Sequence, residues 1–408
     1  MSIIGMEYLR GKLAKKANRV NLRYSFYEAK NKCQEVSKLI PPEFKSLSYA
    51  YGWCAKACDS LADRMVFDSF DNDLLYLDEI YAMNNADVLF DSAILSACIT
   101  SCSFLYIDVD ADGYPVIQCI DGANATGEID TTTQMLKYGY AVLERDTDGK
   151  VVRQAYFKPF STEYYDGDDK LIDVYEHKAP YPLLVPIIFR PDAKRPFGHS
   201  RISRMCMTLQ QTAMRTSLRT EVAAEFYSVP QKYVVGLSKG AEFNGQLATY
   251  SSFLQFGKDA QGEAPKLGMF DSHSMEPHIE HMRMLASMFA GETGLTLDDL
   301  GFQTDNPSSS DAIKAAHENL RLVARKSQRT FSTGFKNAGY LAACIRDDKS
   351  YARTAIRDTV AIWQPIFELD MSSIGALGDA AFKINEALPG YISAKTIKQL
   401  TGIEGETL

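Results

Sequence analysis

Two stretches of this chain hold residue types that metal chemistry uses. Asp108, Asp110 and Asp112 alternate and are followed by Gly113, which matches the front of a calcium loop. The twelfth position is Cys119 rather than glutamate, and the flanks read as strands rather than helices, so a solvated turn is the better account. His278 and His281 stand three apart with Glu280 between them, and Asp298, Asp299 and Asp305 share one later stretch. A zinc hydrolase would want His-Glu-x-x-His and a third ligand, neither of which is present. Carboxylates converging on magnesium are what a nuclease uses, so a metal-dependent nucleic-acid hydrolase built on these groups is the enzymatic alternative. The eight cysteines are scattered; Cys54/Cys58 and Cys98/Cys102 lie four apart in apolar helical patterns and read as buried thiols of a reducing compartment. Walker A, Gly-x-Gly-x-x-Gly and Gly-x-Ser-x-Gly patterns are absent. No catalytic residue, cofactor or metal is expected.

The elements that carry these residues fall into an α+β order. At 408 residues, 46% apolar and 24% charged, the chain is long enough for two or three ordinary domains with a sizeable core. A net charge of -8 argues against a protein that coats DNA, though not against a surface past which DNA slides. No run of about 18 apolar residues suggests a membrane span, and the N-terminus has no apolar signal core. Residues 1–22, with Arg10, Lys12, Lys15, Lys16 and Arg19, read as a solvated basic arm. Helices are expected over Arg23–Ile40, stopped by Pro41-Pro42, then Leu47–Met65, Leu74–Met83 and Ala86–Cys102.

The period then changes to that of strands. Hairpins are expected around Asp112-Gly113, Asp148-Gly149 and Asp166-Gly167, and three in sequence make an antiparallel meander. Three prolines make Pro180–Pro186 a linker, followed by a short strand at Ile187–Pro191. Ser200 is placed to cap a helix running to Tyr227, stopped by Pro230. Gln231–Met269 is short, Gly-rich and strand-like at Lys232–Leu237, Ser252–Phe256 and Pro265–Met269, and too small to bury a core alone. A helix over Pro277–Thr293 leads to a loop, Leu295–Pro307, in which Asn306-Pro307 bars helix. Ser308–Asp311 offers a capping box for a helix continuing to Arg346, roughly 50 Å long, whose other faces carry Lys314, Arg321, Arg325, Lys326, Arg329 and Lys336. A strand at Thr359–Trp363 follows, then helix over Ser372–Leu400 broken at Pro389-Gly390, and a disordered tail beyond Gly402.

The wording of several stretches is specific. Asp305–Ile313 followed by Glu318–Lys326, Phe197-Gly-His-Ser-Arg201 followed by Arg219–Gln231, and the order Tyr27–Lys30, Pro41–Lys45 and the Trp53 helix closely resemble tailed-phage portal proteins. The resemblance runs from about Tyr24 to Trp363. It implies a portal fold: a helical and β-meander wing (23–198) after the arm, a first stem helix (199–228), a small α/β clip (229–274) and a second stem helix (275–294). A tunnel loop (295–308), a long wing helix (309–346), a returning wing strand (347–370) and a short helical crown with tail (371–408) complete it. The segment Ser101-Cys-Ser103, before the first expected strand, stands where the family leads one to expect a glycine.

What the resemblance implies about function is a homo-oligomeric ring, usually of twelve, at one capsid vertex in the virion, assembled in the host cytoplasm. Double-stranded DNA would pass through it without sequence recognition during packaging and ejection. Implied partners are further copies of the chain, the major capsid protein and scaffold, the large terminase and a head–tail adaptor. Leu297, Asp298, Asp299, Phe302, Gln303, Thr304, Asp305 and Asn306 would form the constriction. Arg215, Arg219, Glu280 and Arg283 are stem candidates for the channel wall, and Lys232, Lys239 and Lys258 clip candidates. Spacing leaves open which of these, or Arg201, face a lumen. Basic residues of the long helix are expected to pair with acids of the next subunit. A non-ring capsid-associated adaptor is the remaining alternative.

Overall fold

In the computed structural model, residues 5–33, 40, 50–228, 232–235, 266–269, 274–302, 315–367, 371–401 and 403 are described. They divide into two compact units, one of 1–31, 52–207 and 289–408, the other of 32–51 and 208–288.

The larger unit opens with α1 (Met6–Tyr27). The expected solvated arm is therefore a docked helix, and the helix expected over Arg23–Ile40 ends at Tyr27, where Ala29 turns the chain with φ 53°. The cause is an apolar stripe among the basic residues. Leu9 and Leu13 are buried against Tyr140, Val142 and Tyr156 of the sheet. The lysines find partners too: Lys12 binds Glu128 at 2.7 Å, and the Lys16 ammonium lies 5.1 Å from the Phe104 ring centroid. Next come α2 (Trp53–Ala62), an unanticipated strand β1 (Phe67–Asp71), α3 (Leu77–Ala82) and α4 (Ala86–Thr100). The positions of Pro41, Pro42 and Leu47 lie outside the described residues.

The strands are β2 (Cys102–Val109), β3 (Pro115–Ile120), β4 (Ala125–Ile129), β5 (Leu136–Arg145), β6 (Val151–Lys158), β7 (Ser161–Asp166), β8 (Leu171–Glu176) and β9 (Leu184–Ile188). All three expected hairpins form, but they do not make one meander. β4 to β8 form a five-stranded antiparallel sheet in sequence order, while β2 and β3 belong to a separate sheet ordered β3-β2-β9. β9 takes the last three residues of the supposed proline linker, Leu184–Pro186, together with the start of the strand expected at Ile187–Pro191. Pro186 fits because β9 is an edge strand, where a missing N–H costs no ladder bond. Each hairpin tip repeats one device. Asp110 accepts from the N–H groups of Asp112 and Tyr114, Asp146 from those of Asp148 and Lys150, and Asp166 from those of Asp168 and Lys170, all at 2.8–3.0 Å. These carboxylates close turns on their own backbone, as the turn reading of Asp108–Gly113 requires.

The first unit's portion of α5 (Arg204–Ser228) starts after Ser203, whose Oγ accepts from the Cys206 N–H at 3.2 Å. Ser203 is thus the cap expected of Ser200; Ser200 instead donates to the Ile99 carbonyl. In the second unit, β10 (Lys232–Val235) pairs antiparallel with β11 (Lys266–Met269), followed by α6 (Glu276–Thr293), whose residues from Phe289 on belong to the first unit; Ser252–Phe256 lies outside the described residues. The long helix α7 (Glu318–Arg346) begins after His317, and Ser308–Lys314 lie outside the described residues. Its 29 residues span about 43 Å, and the first part of the expected 50 Å helix falls on positions outside the described residues. β12 (Val360–Trp363) returns to pair antiparallel with β1, then α8 (Met371–Ala387) and α9 (Ala394–Thr401) end the chain on either side of Pro389-Gly390.

The core of the larger unit is aromatic and centred on α7. Phe67, Phe90 and Phe335 stack edge to face or tilted at centroid separations of 4.3–5.8 Å, with Trp363 and Tyr81 on their flanks. The Tyr81 hydroxyl donates to the Phe335 carbonyl at 2.6 Å, so the cluster's one deeply buried hydroxyl is satisfied. α7 thereby holds α3, α4, β1 and β12 in one body, which fixes where its N-terminal end, and the loop before it, begin.

Candidate functional site

The expected constriction loop leaves α6 at Thr293. The Thr293 hydroxyl donates to the Phe289 carbonyl at 2.7 Å, and the Gly294 N–H donates to that of Ala290 at 2.7 Å. Gly294 has φ 70°, the left-handed turn that ends helices and that glycine enters without strain. A tight turn follows. The Asp299 carboxylate accepts from the Thr296 N–H at 2.8 Å and from its hydroxyl at 2.9 Å, while the Phe302 N–H donates to the Leu297 carbonyl. Leu295 and Leu300 are buried. The stretch 295–302 is therefore anchored by two leucines and closed on itself. Asp298 is exposed, Leu297 and Phe302 are half-buried, and Asp299 lies 3.8 Å from His317 Nδ1 at the start of α7. Gln303, Thr304, Asp305 and Asn306 lie outside the described residues.

Arg201 holds the root of this loop. It is 6% exposed. Its Nη2 donates to the Thr293 carbonyl, its Nε to the Ala57 carbonyl at 3.2 Å, and its backbone N–H to Cys98 O at 2.8 Å. No carboxylate meets it in these bonds. Thr293 ends α6, so the guanidinium meets the partially negative end of that helix, while the backbone N–H of Arg201 meets a carbonyl in the last turn of α4. Burial lowers the pKa of Arg201 and pushes the Cys98 thiol up to about 12, with Cys58 held well above its ordinary value, so the neighbouring thiols stay neutral. Arg201 reaches this place because Gly198, in the Phe-Gly-His-Ser-Arg phrase, adopts φ 75°; a Cβ there would stand 2.0 Å from the Phe189 carbonyl oxygen. Of the charged residues considered for a channel wall, Arg201 is thus an internal anchor. Its role depends on backbone carbonyls far away in sequence, and the only trace in the sequence is the motif around it.

In the second unit, Arg215 Nη2 donates to Thr212 Oγ1 at 2.9 Å, and Arg215 and Arg219 both draw the pKa of Cys33 down against the larger upward effect of burial. Arg219, Glu280 and Arg283 are exposed. His281 Nδ1 lies 3.4 Å from the Thr216 hydroxyl, on the facing helix. Lys232 belongs to β10, opposite Met269, whereas Lys239 and Lys258 lie outside the described residues. Among the described residues no three His, Cys, Asp or Glu side chains group as a metal site, and no helix is long and apolar enough to cross a membrane. The two histidines and the loop aspartates fall in different units.

No family model matches the sequence. Two curated relatives do. The portal protein of Mycobacterium phage L5 is 22% identical over 346 residues, covering 78% of this chain and 69% of the relative, and that of Mycobacterium phage D29 is 23% identical over 351 residues, covering 78% and 70%. Among solved structures, a chain from the virion of a native gene transfer agent particle aligns with 94% of this chain and 99% of its own, at TM-score 0.45 and 14% identity. A chain from the neck of an empty gene transfer agent particle covers 94% and 98%, at 0.46 and 13%. The sequence matches extend the resemblance seen in the stem and loop phrases to most of the chain, and the protein is a homologue of the mycobacteriophage portal proteins.

Proposed function

We propose that this chain is the portal subunit of a phage or phage-like particle, forming a homo-oligomeric ring that serves as the channel for double-stranded DNA. The observation that carries the proposal is the match to two portal proteins over more than three quarters of the chain. Exposed apolar side chains support assembly: Met371 and Phe382 of α8 and Tyr391 beyond it are 82%, 73% and 72% exposed, apolar surface that contact between copies would cover. In this reading 23–198 with 309–370 form the wing, 199–228 and 275–294 the stem, 229–274 the clip and 371–408 the crown. Leu297, Asp298, Asp299 and Phe302, with Gln303–Asn306, form the constriction. The stem offers Arg215, Arg219, Glu280 and Arg283 to the wall, and the clip offers Lys232, Lys239 and Lys258 to packaging enzyme and tail adaptor.

The physics of such a channel favours weak contact. An acidic or neutral constriction repels phosphate and keeps DNA mobile, whereas rings of Lys or Arg hold it with an affinity that falls steeply with salt. Asp298, exposed on an anchored turn, meets the first requirement. The chain carries no nucleotide-binding motif, so the work of packaging comes from a separate ATPase.

Native mass spectrometry with negative-stain imaging tests the proposal. A ring of about a dozen copies around a central hole is the expected result; a monomer or dimer that remains so with capsid and scaffold proteins present would overturn it. Removing residues 303–306 should then block packaging while leaving the ring intact, because Leu295 and Leu300, which anchor the turn, are retained. Magnesium-dependent DNA cleavage that is lost in Asp298→Ala would favour the hydrolase reading instead.

A further inference from the structure

A cavity of about 670 Å³ lies between α7, β9 and the loops on either side of β9's sheet, and the proposed function leaves it unused. Its charged members are Lys326 and Arg329 on the exposed side of α7, with Asp192 on the loop after β9. Asp192 is engaged: it accepts from the backbone N–H of Lys194 and Arg195 at 2.8 and 2.7 Å and pairs with His199. Lys326 and Arg329 make no ion pair among the described residues, in a chain whose net charge is -8. One and two turns further along the same face, Thr333 and Asn337 continue the wall. Asn337 is 1% exposed, yet neither its Nδ2 nor its Oδ1 finds a hydrogen-bond partner among the described residues. Leaving a buried amide without partners is costly, and a contact that brings it a partner removes that cost. A primary amide offers one donor side and one acceptor side, and a peptide group offers the complementary pair.

We infer that this cavity is a socket for an acidic segment of a second copy of the chain. The inference rests on the ring reading above. A closed ring is built from two different, complementary patches on each subunit. Two unpaired cations beside hydroxyls and an orphaned amide make one such patch, and the excess of carboxylates elsewhere on the chain supplies its complement. Lys326 and Arg329 receive the carboxylate, and closure over the cavity gives Asn337 a peptide group to bind.

The test compares wild type, Lys326→Glu/Arg329→Glu and Asn337→Leu for ring content by native mass spectrometry and for subunit stability by denaturant unfolding. Both cations are exposed, so the charge reversal should leave unfolding unchanged and cut the ring fraction by about tenfold or more, because like charges then meet in the socket. Asn337→Leu should raise or preserve subunit stability while lowering ring content, two readouts that a merely structural asparagine would move together. Carbodiimide treatment of wild-type rings should join Lys326 to an Asp or Glu of another copy. Rings formed equally well by wild type and the charge reversal would overturn this inference and leave the portal reading standing. Absence of rings in wild type even with capsid and scaffold proteins present would overturn both. Normal rings in the charge-reversal variant with weakened retention of a DNA duplex would assign the cavity to phosphate, and would also overturn it.

Discussion

The helices α7 and α8 invert the usual relation between composition and burial. α7 is rich in Arg, Lys, Ser, Thr and Asn, yet nearly every residue from Phe331 to Ile345 is at least half covered and most are buried outright. α8 is richer in apolar residues over its 17 positions, yet only Ala381 is buried. The difference is one of what each helix meets. α7 is enclosed by α3, β9 and β12, so that even Ser327 and Gly334 face protein. α8 meets little of its own chain. A helix fixed from within should respond to substitution through subunit stability, and a helix left for neighbours should respond through assembly.

The largest effect on stability is expected at Phe335. It is fully buried and stacks on Phe67, Phe90 and Trp363. Phe335→Ala removes that ring from a packed cluster and should cost about 3–5 kcal/mol, read as a lower midpoint in urea. A cost below about 1 kcal/mol would mean that α7 is not the centre of the core.

Arg201 comes next. Arg201→Met keeps an unbranched side chain of similar length but leaves the Thr293 carbonyl without its guanidinium donor. The expected loss is about 2 kcal/mol, reduced by the relief of burying a charge. Hydrogen exchange should localise it: the amides of Gly294, Leu300 and Phe302, whose bonds define the turn, should exchange faster than those of α7. A uniform change across the unit would show that Arg201 supports the fold in general rather than the root of the loop.

How much of this was legible in the sequence depended on whether a residue's partners lie nearby along the chain. The hairpins were legible because each Asp-Gly tip closes on its own backbone. The long helix was legible from periodicity, and the returning strand at Thr359–Trp363 from the family resemblance. α1 was not, because its lysines read as solvent-facing while in the fold they reach Glu128 and the Phe104 ring. β9 was half hidden: Ile187 and Ile188 fell within the expected strand Ile187–Pro191, but Pro186 put Leu184–Pro186 in the supposed linker, since edge position is a property of the sheet and not of the segment. The candidate site divides the same way: Asp298 and Asp299 were visible as members of a loop, whereas the turn they close, the anchoring by Arg201 and the orphaned amide of Asn337 exist only in three dimensions.

Ser101 tests the reverse inference, from family expectation to backbone. The glycine expected within Ser101-Cys-Ser103 corresponds to a real demand, which the structure places at the first of the three: Ser101 ends α4 with φ 97° and ψ -31°, outside the regions open to side-chain-bearing residues. Its carbonyl accepts from the Phe189 N–H at 2.9 Å, so the position cannot relax without breaking the link to the strand's end. Ser101→Gly should therefore stabilise the subunit by about 1 kcal/mol, net of the extra entropy glycine brings to the unfolded chain. A destabilised variant would mean that the hydroxyl contributes more than the strain costs.

The smallest effect on the subunit, and the one that separates the two helices most cleanly, is expected at Phe382. Its ring is 73% exposed on α8, so Phe382→Ser removes little buried area, and unfolding should shift by less than about 0.5 kcal/mol. If α8 is covered by other copies, the same substitution uncovers the contact once per subunit around the ring, and ring content should fall even though each subunit is as stable as before. Phe335→Ala should show the opposite pattern, with stability lost first and assembly only in proportion to the folded fraction. Measuring both variants by denaturant unfolding and native mass spectrometry puts the two helices on one pair of axes. If Phe382→Ser leaves ring content untouched, the apolar face of α8 serves something other than contact between copies, and the comparison between a helix fixed from within and one left for neighbours fails at that point.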